Sequence, residues 1–200
     1  MSKKYLKVYD GFYDDKLIHE AQDIVKLSNY ISEYNITNSE FIGAKYHWTF
    51  YDENQEIKEI KNETFRSIWE KTKELLPIKK YYLKRAYINV SRFGDEDRIH
   101  IDEGETSFGL TAILYLSGKW KMTWGGQTNF YTKHTKGDIP TNDNETEYEN
   151  EIIHSVIPKK NRVVIFNKNI PHSAGILSKT CLRNRYVCVF KIITPEEVYE

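Results

Sequence analysis

Two histidines and one aspartate have the types and spacing of a metal site. His100 and Asp102 are separated by one residue, and in an extended segment residues i and i+2 point to the same side of the chain. His172 ends the stretch Asn-Ile-Pro-His just after the apolar run 163–166. Two imidazoles and one carboxylate form the triad that binds one face of octahedral Fe(II) and leaves the opposite face open. We therefore predict that His100, Asp102 and His172 are the catalytic metal ligands.

The other histidines have simpler explanations. His154 competes for the place of third ligand, but it lies in the apolar run 152–157, where a strand histidine facing a neighbour accounts for it. His19 lies on a predicted helix and His134 in a long polar loop, and both are interpreted as structural or solvated.

An arginine follows the triad at a position suited to a carboxylate. Arg185 comes thirteen residues after His172 and opens the β-rich run 185–190. Its guanidinium can donate two charge-assisted hydrogen bonds to one carboxylate, as an Fe(II) oxygenase requires for 2-oxoglutarate. The side chain of Arg183 would point to the same face of the strand, so Arg183 is the alternative residue for binding this carboxylate.

The composition limits the class of protein. The chain has 200 residues, 29 acidic and 29 basic, with a formal net charge of zero. This balance argues against a non-specific binder of polyanions. Cys181 and Cys188 have neither the number nor the spacing of a disulfide framework or zinc site. Since no run resembles a membrane span or a signal peptide, we expect a reducing, cytoplasmic setting.

The pattern of elements predicts a mainly β fold with helices at the start. Helices are predicted at about 16–33, capped by Asp14 or Asp15, and at about 56–76. Short strands are predicted at the following places: 5–9, 45–51, 82–92, 98–102, 108–117, 127–133, 151–157, 162–167 and 184–193. Helices followed by many strands favour a jelly roll buttressed by two helices. We expect one domain over 1–200, with helical support over about 1–80 and the β core over about 81–193.

Several motifs resemble one family when taken in order. They are Ala86 to Gly94, His100 to Asp102, Leu110 to Leu116 with Trp120, Trp124 to Phe130, Pro158 to His172, and Arg185 to Lys191. The sequence resembles the Fe(II)/2-oxoglutarate-dependent oxygenases, in particular the prolyl-4-hydroxylase-like branch with small bacterial and viral members. The resemblance covers most of the chain from about Tyr87 to Lys191.

This resemblance implies a double-stranded β-helix with Fe(II) held by the triad. Arg185 matches the basic residue for the distal carboxylate of 2-oxoglutarate, and Tyr115 matches a tyrosine whose hydroxyl joins that arginine. Asn89 falls where some relatives place an amide that binds the cosubstrate. The implied cofactors are Fe(II), 2-oxoglutarate and O₂, with ascorbate as a stimulant.

The substrate is ranked by the same resemblance. Peptidyl proline comes first, a free amino acid or small metabolite second, and alkylated nucleic acid in an AlkB-like reaction third. A non-enzymatic metal-binding jelly roll is the alternative of a different class. Two departures from the pattern of this branch weaken the inference that the substrate is a prolyl residue. Phe93 stands where a tyrosine is common, and residues 176–182 enlarge the turn before Arg185.

Other segments are assigned more general roles. The loop 134–150 and the segment around His47 are candidates for a lid and a substrate wall. Arg98 is interpreted as an ion-pair partner of Asp95 or Asp97 rather than a substrate contact. The pair Gly125-Gly126 is expected to turn one strand into the next with positive φ.

Overall fold

The fold consists of two antiparallel sheets and two helices. The structure is a computed structural model that describes residues 4–37, 40–54, 58–95, 97–102, 108–132 and 151–199, with backbone alone for 31–45. The predicted loop 134–150, including His134, lies outside the described residues. No helix within this part of the chain is long and apolar enough to cross a membrane.

The elements follow one another in a mainly β order. The strands are β1 Leu6–Asp10, β2 Ile31–Thr37, β3 Glu40–Asp52, β4 Tyr82–Ser91, β5 Phe108–Tyr115, β6 Thr128–Tyr131, β7 Ile152–Val156, β8 Arg162–Asn167, β9 His172–Ala174 and β10 Arg185–Thr194. The helices are α1 Asp15–Leu27 and α2 Glu63–Glu74, with a 3₁₀ turn at Met122–Trp124. The larger sheet has the order β1-β8-β5-β10-β4-β3-β2, and the smaller one the order β7-β6-β9. This architecture confirms the predicted jelly roll.

Alternating residues of the larger sheet supply two separate cores. In β10, Cys188, Phe190 and Ile192 pack into the core under the helices, whereas Val187 and Val189 face the smaller sheet. The same period of two divides β5 and β8, because successive side chains of a strand point to opposite faces. The core between the sheets is completed by Phe130, Val156 and Ile170 of the smaller sheet and its flanking loop.

The first helix begins as predicted but ends earlier. The side chain of Asp14 accepts hydrogen bonds from the backbone N–H groups of Lys16 and Leu17, which makes it the N-cap. The helix ends at Leu27 because Ser28 takes an extended backbone conformation, with φ −74° and ψ 147°. The chain then enters β2, which the sequence pattern did not reveal. Leu27, the last residue of the helix, is 85% exposed.

Two other predicted elements need correction. The second helix begins at Glu63 rather than near 56, because Asn62 caps it through the N–H of Phe65. Ile60, assigned to that helix, is buried in the preceding segment. The predicted strand 98–102 is only an isolated bridge between His100 and His172.

The helix α2 is held on the larger sheet by aromatic packing, and this can be tested. Phe65 is fully buried and stacks on Phe50 at 4.9 Å between ring centroids, with Trp48 edge-on at 5.6 Å. We expect Phe65→Ala to lower the free energy of unfolding by about 3–5 kcal/mol, since it removes transfer free energy and leaves a cavity. Urea denaturation followed by circular dichroism measures this. Leu27→Ala on exposed α1 surface is the matched control, and an equal loss in both variants would contradict the packing account.

Candidate metal and cosubstrate site

The two predicted histidine ligands are direct neighbours across a backbone bridge. The N–H of His100 donates to the carbonyl of His172 at 2.9 Å, and the N–H of His172 donates back at 2.8 Å. Their rings therefore lie side by side, with centroids 4.4 Å apart. Asp102 is tied to the same distant segment, since its N–H donates to the carbonyl of Lys168 at 3.1 Å. Because these backbone hydrogen bonds fix the segment from His100 to Asp102, its side chains can converge with that of His172 although the segment is not a regular strand.

The three side chains direct one donor atom each to a common point. Asp102 Oδ1 lies 3.7 Å from Nε2 of His100 and 3.7 Å from Nε2 of His172. All three donor atoms lie within 4.8 Å of one another. The side chain of His100 is 38% exposed, whereas those of Asp102 and His172 are nearly buried. The site therefore opens towards solvent on the His100 side.

Hydrogen bonds set the tautomer of both imidazoles. Nδ1 of His100 bonds to the carbonyl of Arg98 at 2.8 Å, and Nδ1 of His172 bonds to the carbonyl of Ile170 at 2.9 Å. A carbonyl only accepts, so each Nδ1 carries the proton and each Nε2 keeps a lone pair for a metal. Phe166 packs edge-on against the His172 ring at 4.7 Å and restricts its rotation.

The charges of the site favour metal-binding protonation states. Burial lowers the pKa of His172 to about 4, only partly opposed by Asp102, so this imidazole is neutral at pH 7. Burial alone would raise the pKa of Asp102, but Lys191, followed by His172 and His100, brings it well below its usual range. The carboxylate is therefore ionised. Two imidazoles and one carboxylate are the donor set that suits Fe(II) with open positions.

Two residues that the motifs did not reveal contact the carboxylate. The hydroxyl of Thr111 donates to Asp102 Oδ2, and the ammonium of Lys191 contacts Oδ1. These residues are opposite partners on the adjacent strands β5 and β10. Lys191 and Arg185 are an even number of residues apart on β10, so the sequence could have indicated that both side chains point to the same face of the strand. Thr111 could be found only from the register between strands.

Arg185 lines the same cavity as the triad. The cavity has a volume of about 320 Å³, and its walls include Asn89, Thr128 and Arg185 together with the three predicted ligands. Arg185 is 3% exposed, and its Nη2 donates to Thr128 Oγ1 at 3.0 Å. Its Nε is buried with no hydrogen-bond partner among the described residues. A buried guanidinium with an unused donor fits an incoming carboxylate such as that of 2-oxoglutarate.

The remaining predicted residues of the cosubstrate site are placed as follows. The Tyr115 hydroxyl lies 2.6 Å from Thr128 Oγ1 and donates to the carbonyl of Val156. Because Arg185 also bonds to Thr128 Oγ1, the Tyr115 hydroxyl is linked to Arg185 through Thr128. The sequence analysis did not identify Thr128. Asn89 lies in the cavity wall on β4. Arg183 is exposed, with its guanidinium carbon 5.7 Å from the centre of the Trp124 ring.

The other sequence expectations fall outside the metal cluster. His154 is exposed on β7, opposite Phe130 of β6, and the Nδ1 of His19 bonds to the carbonyl of Asp15. Asp97, offered as a partner for Arg98, accepts from the N–H of Ala174 and lies 3.8 Å from His100 Nδ1.

The two glycines near the cavity have positive φ, as expected. These angles are 70° at Gly125 and 73° at Gly126. A Cβ on Gly126 would lie 2.5 Å from Leu177 Cδ2 and 3.2 Å from Arg185 Cδ. Because Gly126 has no side chain, the turn can pack directly against the side chains of Leu177 and Arg185.

Comparisons with known proteins agree with this geometry. The model of the 2OG-Fe(II) oxygenase superfamily matches residues 88–191, and no curated protein matches the chain. An oxidoreductase of the 2OG-Fe(II) oxygenase family from Burkholderia pseudomallei has a similar structure, with TM-score 0.66, 10% identity, and coverage of 97% of this chain and 87% of that one.

Two further solved structures share the fold. A prolyl-4-hydroxylase from Pseudomonas putida aligns with TM-score 0.59 and 14% identity, over 96% of this chain and 94% of that chain. The non-heme alpha-ketoglutarate-dependent epimerase of nogalamycin biosynthesis aligns with TM-score 0.65 and 13% identity, over 99% and 82%. The family model covers more than half of the chain and includes all three predicted ligands and Arg185. The chain therefore belongs to the 2OG-Fe(II) oxygenase superfamily and is a 2-oxoglutarate-dependent dioxygenase that uses Fe(II).

Proposed function

We propose that this oxygenase holds Fe(II) through Nε2 of His100, Oδ1 of Asp102 and Nε2 of His172. Arg185 and Thr128 bind the distal carboxylate of 2-oxoglutarate. Tyr115 orients Thr128 through the hydrogen bond between their hydroxyl groups, and Asn89 lies in the cavity wall. The observation that carries this assignment is the shared cavity, which has the convergent donor atoms on one wall and the buried, under-bonded Arg185 guanidinium on another.

The proposed reaction is the hydroxylation of a C–H bond. Bound Fe(II), 2-oxoglutarate and O₂ would together supply the oxidising power, since O₂ drives the oxidative decarboxylation of 2-oxoglutarate to succinate and CO₂. The chain supplies orientation and exclusion of water. Thr111 engages Oδ2 of Asp102, so that Oδ1 is the oxygen turned towards the histidines. Ile113, Val187 and Val189 give the cavity an apolar lining between Arg185 and the triad.

For the substrate, we propose a peptidyl residue, with proline first. The resemblance in sequence motifs and the likeness in fold to the prolyl-4-hydroxylase from Pseudomonas putida support this choice. The part of the cavity wall that comes from β3 and β4 carries His47, Arg85, Tyr87 and Ser91, whose polar groups are suited to backbone amides. The similar fold of the nogalamycin epimerase makes a small molecule the alternative.

The metal site can be tested by spectroscopy. Anaerobic addition of Fe(II) and 2-oxoglutarate to the protein should give a weak visible charge-transfer band. His172→Ala should abolish the band, because the iron loses one of three protein ligands. His154→Ala is the matched control, since this histidine is exposed and outside the cluster. A band that survives in His172→Ala, or is absent from the unmodified protein, would refute the assignment.

The cosubstrate assignment has a kinetic test. Arg185→Met should raise the KM for 2-oxoglutarate on the order of 10- to 100-fold, since a charge-assisted contact to a buried carboxylate is lost. Turnover of 2-oxoglutarate to succinate at varied cosubstrate concentration measures it. Arg183→Met removes the same charge from an exposed position on the neighbouring turn, and should leave KM unchanged. If Arg183→Met gives the larger effect, the two arginines have been assigned the wrong way round.

The substrate class can be separated by one screen. Proline-rich peptides, free amino acids and alkylated bases are incubated with the protein, Fe(II), 2-oxoglutarate, O₂ and ascorbate. We expect succinate formation and the mass of one added oxygen with proline-rich peptides. Activity confined to amino acids would support the small-molecule alternative and reject the prolyl proposal, and activity confined to alkylated bases would support demethylation.

A further inference from the structure

The Lys191 side chain is bonded to the oxygen of Asp102 that faces the two histidines. Its ammonium contacts Oδ1, the same atom that lies 3.7 Å from each imidazole Nε2. The hydroxyl of Tyr87 is a second partner of the ammonium. Lys191 lines the cavity beside the triad, and its side chain is 19% exposed. A positive charge is therefore fixed next to the place where a metal would bind.

Charge counting shows what this lysine does to the proposed iron site, on which this inference rests. The Asp102 carboxylate and the Lys191 ammonium form an ion pair, so their charges sum to zero. A divalent ion binding there raises the total to +2, and it shares Oδ1 with a cation in a poorly screened environment. The carboxylate at the keto-acid end of 2-oxoglutarate lowers that total by one, because Arg185 already balances the distal carboxylate.

We propose that Lys191 strengthens the cooperativity between the binding of metal and the binding of 2-oxoglutarate. By neutralising Asp102, it weakens the binding of the metal alone and strengthens the attraction of the metal-loaded site for the dianionic cosubstrate. Thermodynamic linkage requires that 2-oxoglutarate raises metal affinity by the same factor by which the metal raises cosubstrate affinity, so either measurement reports the coupling. Lys191 is thus a positioning and charge-balancing residue that acts through Asp102.

Lys191 differs in this respect from the other cations of the cavity. Arg85 is paired with Asp52 at 3.6 Å, and its guanidinium carbon lies 5.0 Å from the centre of the Tyr87 ring. Arg185 bonds to Thr128 and is assigned to the distal carboxylate. Among the described residues that line the cavity, Lys191 is the cation bonded to a predicted ligand.

The test measures metal affinity with and without cosubstrate. Mn(II) is titrated anaerobically into the protein, and free Mn(II) is followed by electron paramagnetic resonance. For the unmodified protein, saturating 2-oxoglutarate should tighten Mn(II) binding on the order of 100-fold, near the upper end of typical couplings. For Lys191→Gln, Mn(II) alone should bind at least about 10-fold more tightly than to the unmodified protein, and the coupling should fall to about 10-fold or less.

The variants separate charge from orientation. Gln retains an N–H donor for Asp102 without the charge, whereas Lys191→Arg retains the charge and should keep the coupling of the unmodified protein. If Lys191→Gln weakens Mn(II) binding instead, the lysine only orients the carboxylate and the proposal is overturned. Equal coupling in the unmodified protein and in Lys191→Gln overturns it as well.

Two further results keep the proposal open to refutation and separate it from the iron-site assignment. If Lys191→Gln does not fold, as judged by circular dichroism, Lys191→Met removes the same charge and is titrated in its place, and Mn(II) affinity in the unmodified protein that does not respond to 2-oxoglutarate refutes the proposal in either case. Tight Mn(II) binding in His172→Ala would instead show that the triad is not the metal site. Loss of Mn(II) binding in His172→Ala, together with unaltered coupling in Lys191→Gln, would reject the role of Lys191 alone.

Discussion

The reciprocal backbone hydrogen bonds between His100 and His172 are the interaction on which the site depends. They join two segments that are 72 residues apart in sequence, and the Asp102 bond to Lys168 adds a second tie between the same segments. With the backbone fixed at both points, the three side chains need little further ordering to converge. The segment from His100 to Asp102 can therefore depart from a regular strand without loss of geometry.

The strand β10 connects this site with the rest of the fold. One face of the strand packs Cys188, Phe190 and Ile192 under the helices, and the other face carries Arg185 and Lys191 at the two ends of the cavity. Neither helix contributes to the cavity wall among the described residues, yet the packing of the helices holds the strand that carries Arg185 and Lys191. A loss of helix packing is consequently expected to displace both of these side chains through the same strand.

The sequence contained enough information for the parts that depend on local spacing. The convergence of His100 and Asp102 could be predicted because a spacing of two residues has a direct geometric meaning, and the position of Arg185 at the start of a strand because it opens a β-rich run. Thr128 and Thr111 were missed because their roles depend on which strands are neighbours and in which register. The strand β2 and the early end of α1 were missed because the apolar pattern around Leu27 suits a longer helix, whereas Ser28 turns the chain into an extended conformation.

The arrangement of the cavity wall has a consequence for how this protein and its relatives can diverge. Among the residues that line the cavity, His47, Arg85 and Tyr87 precede residue 88, where the match to the family model begins, whereas Ser91, the predicted metal ligands and Arg185 lie within the matched region. Part of the cavity wall is therefore contributed by a segment that the family model does not cover, and substitutions there can alter the shape of the cavity while the predicted ligands stay in place.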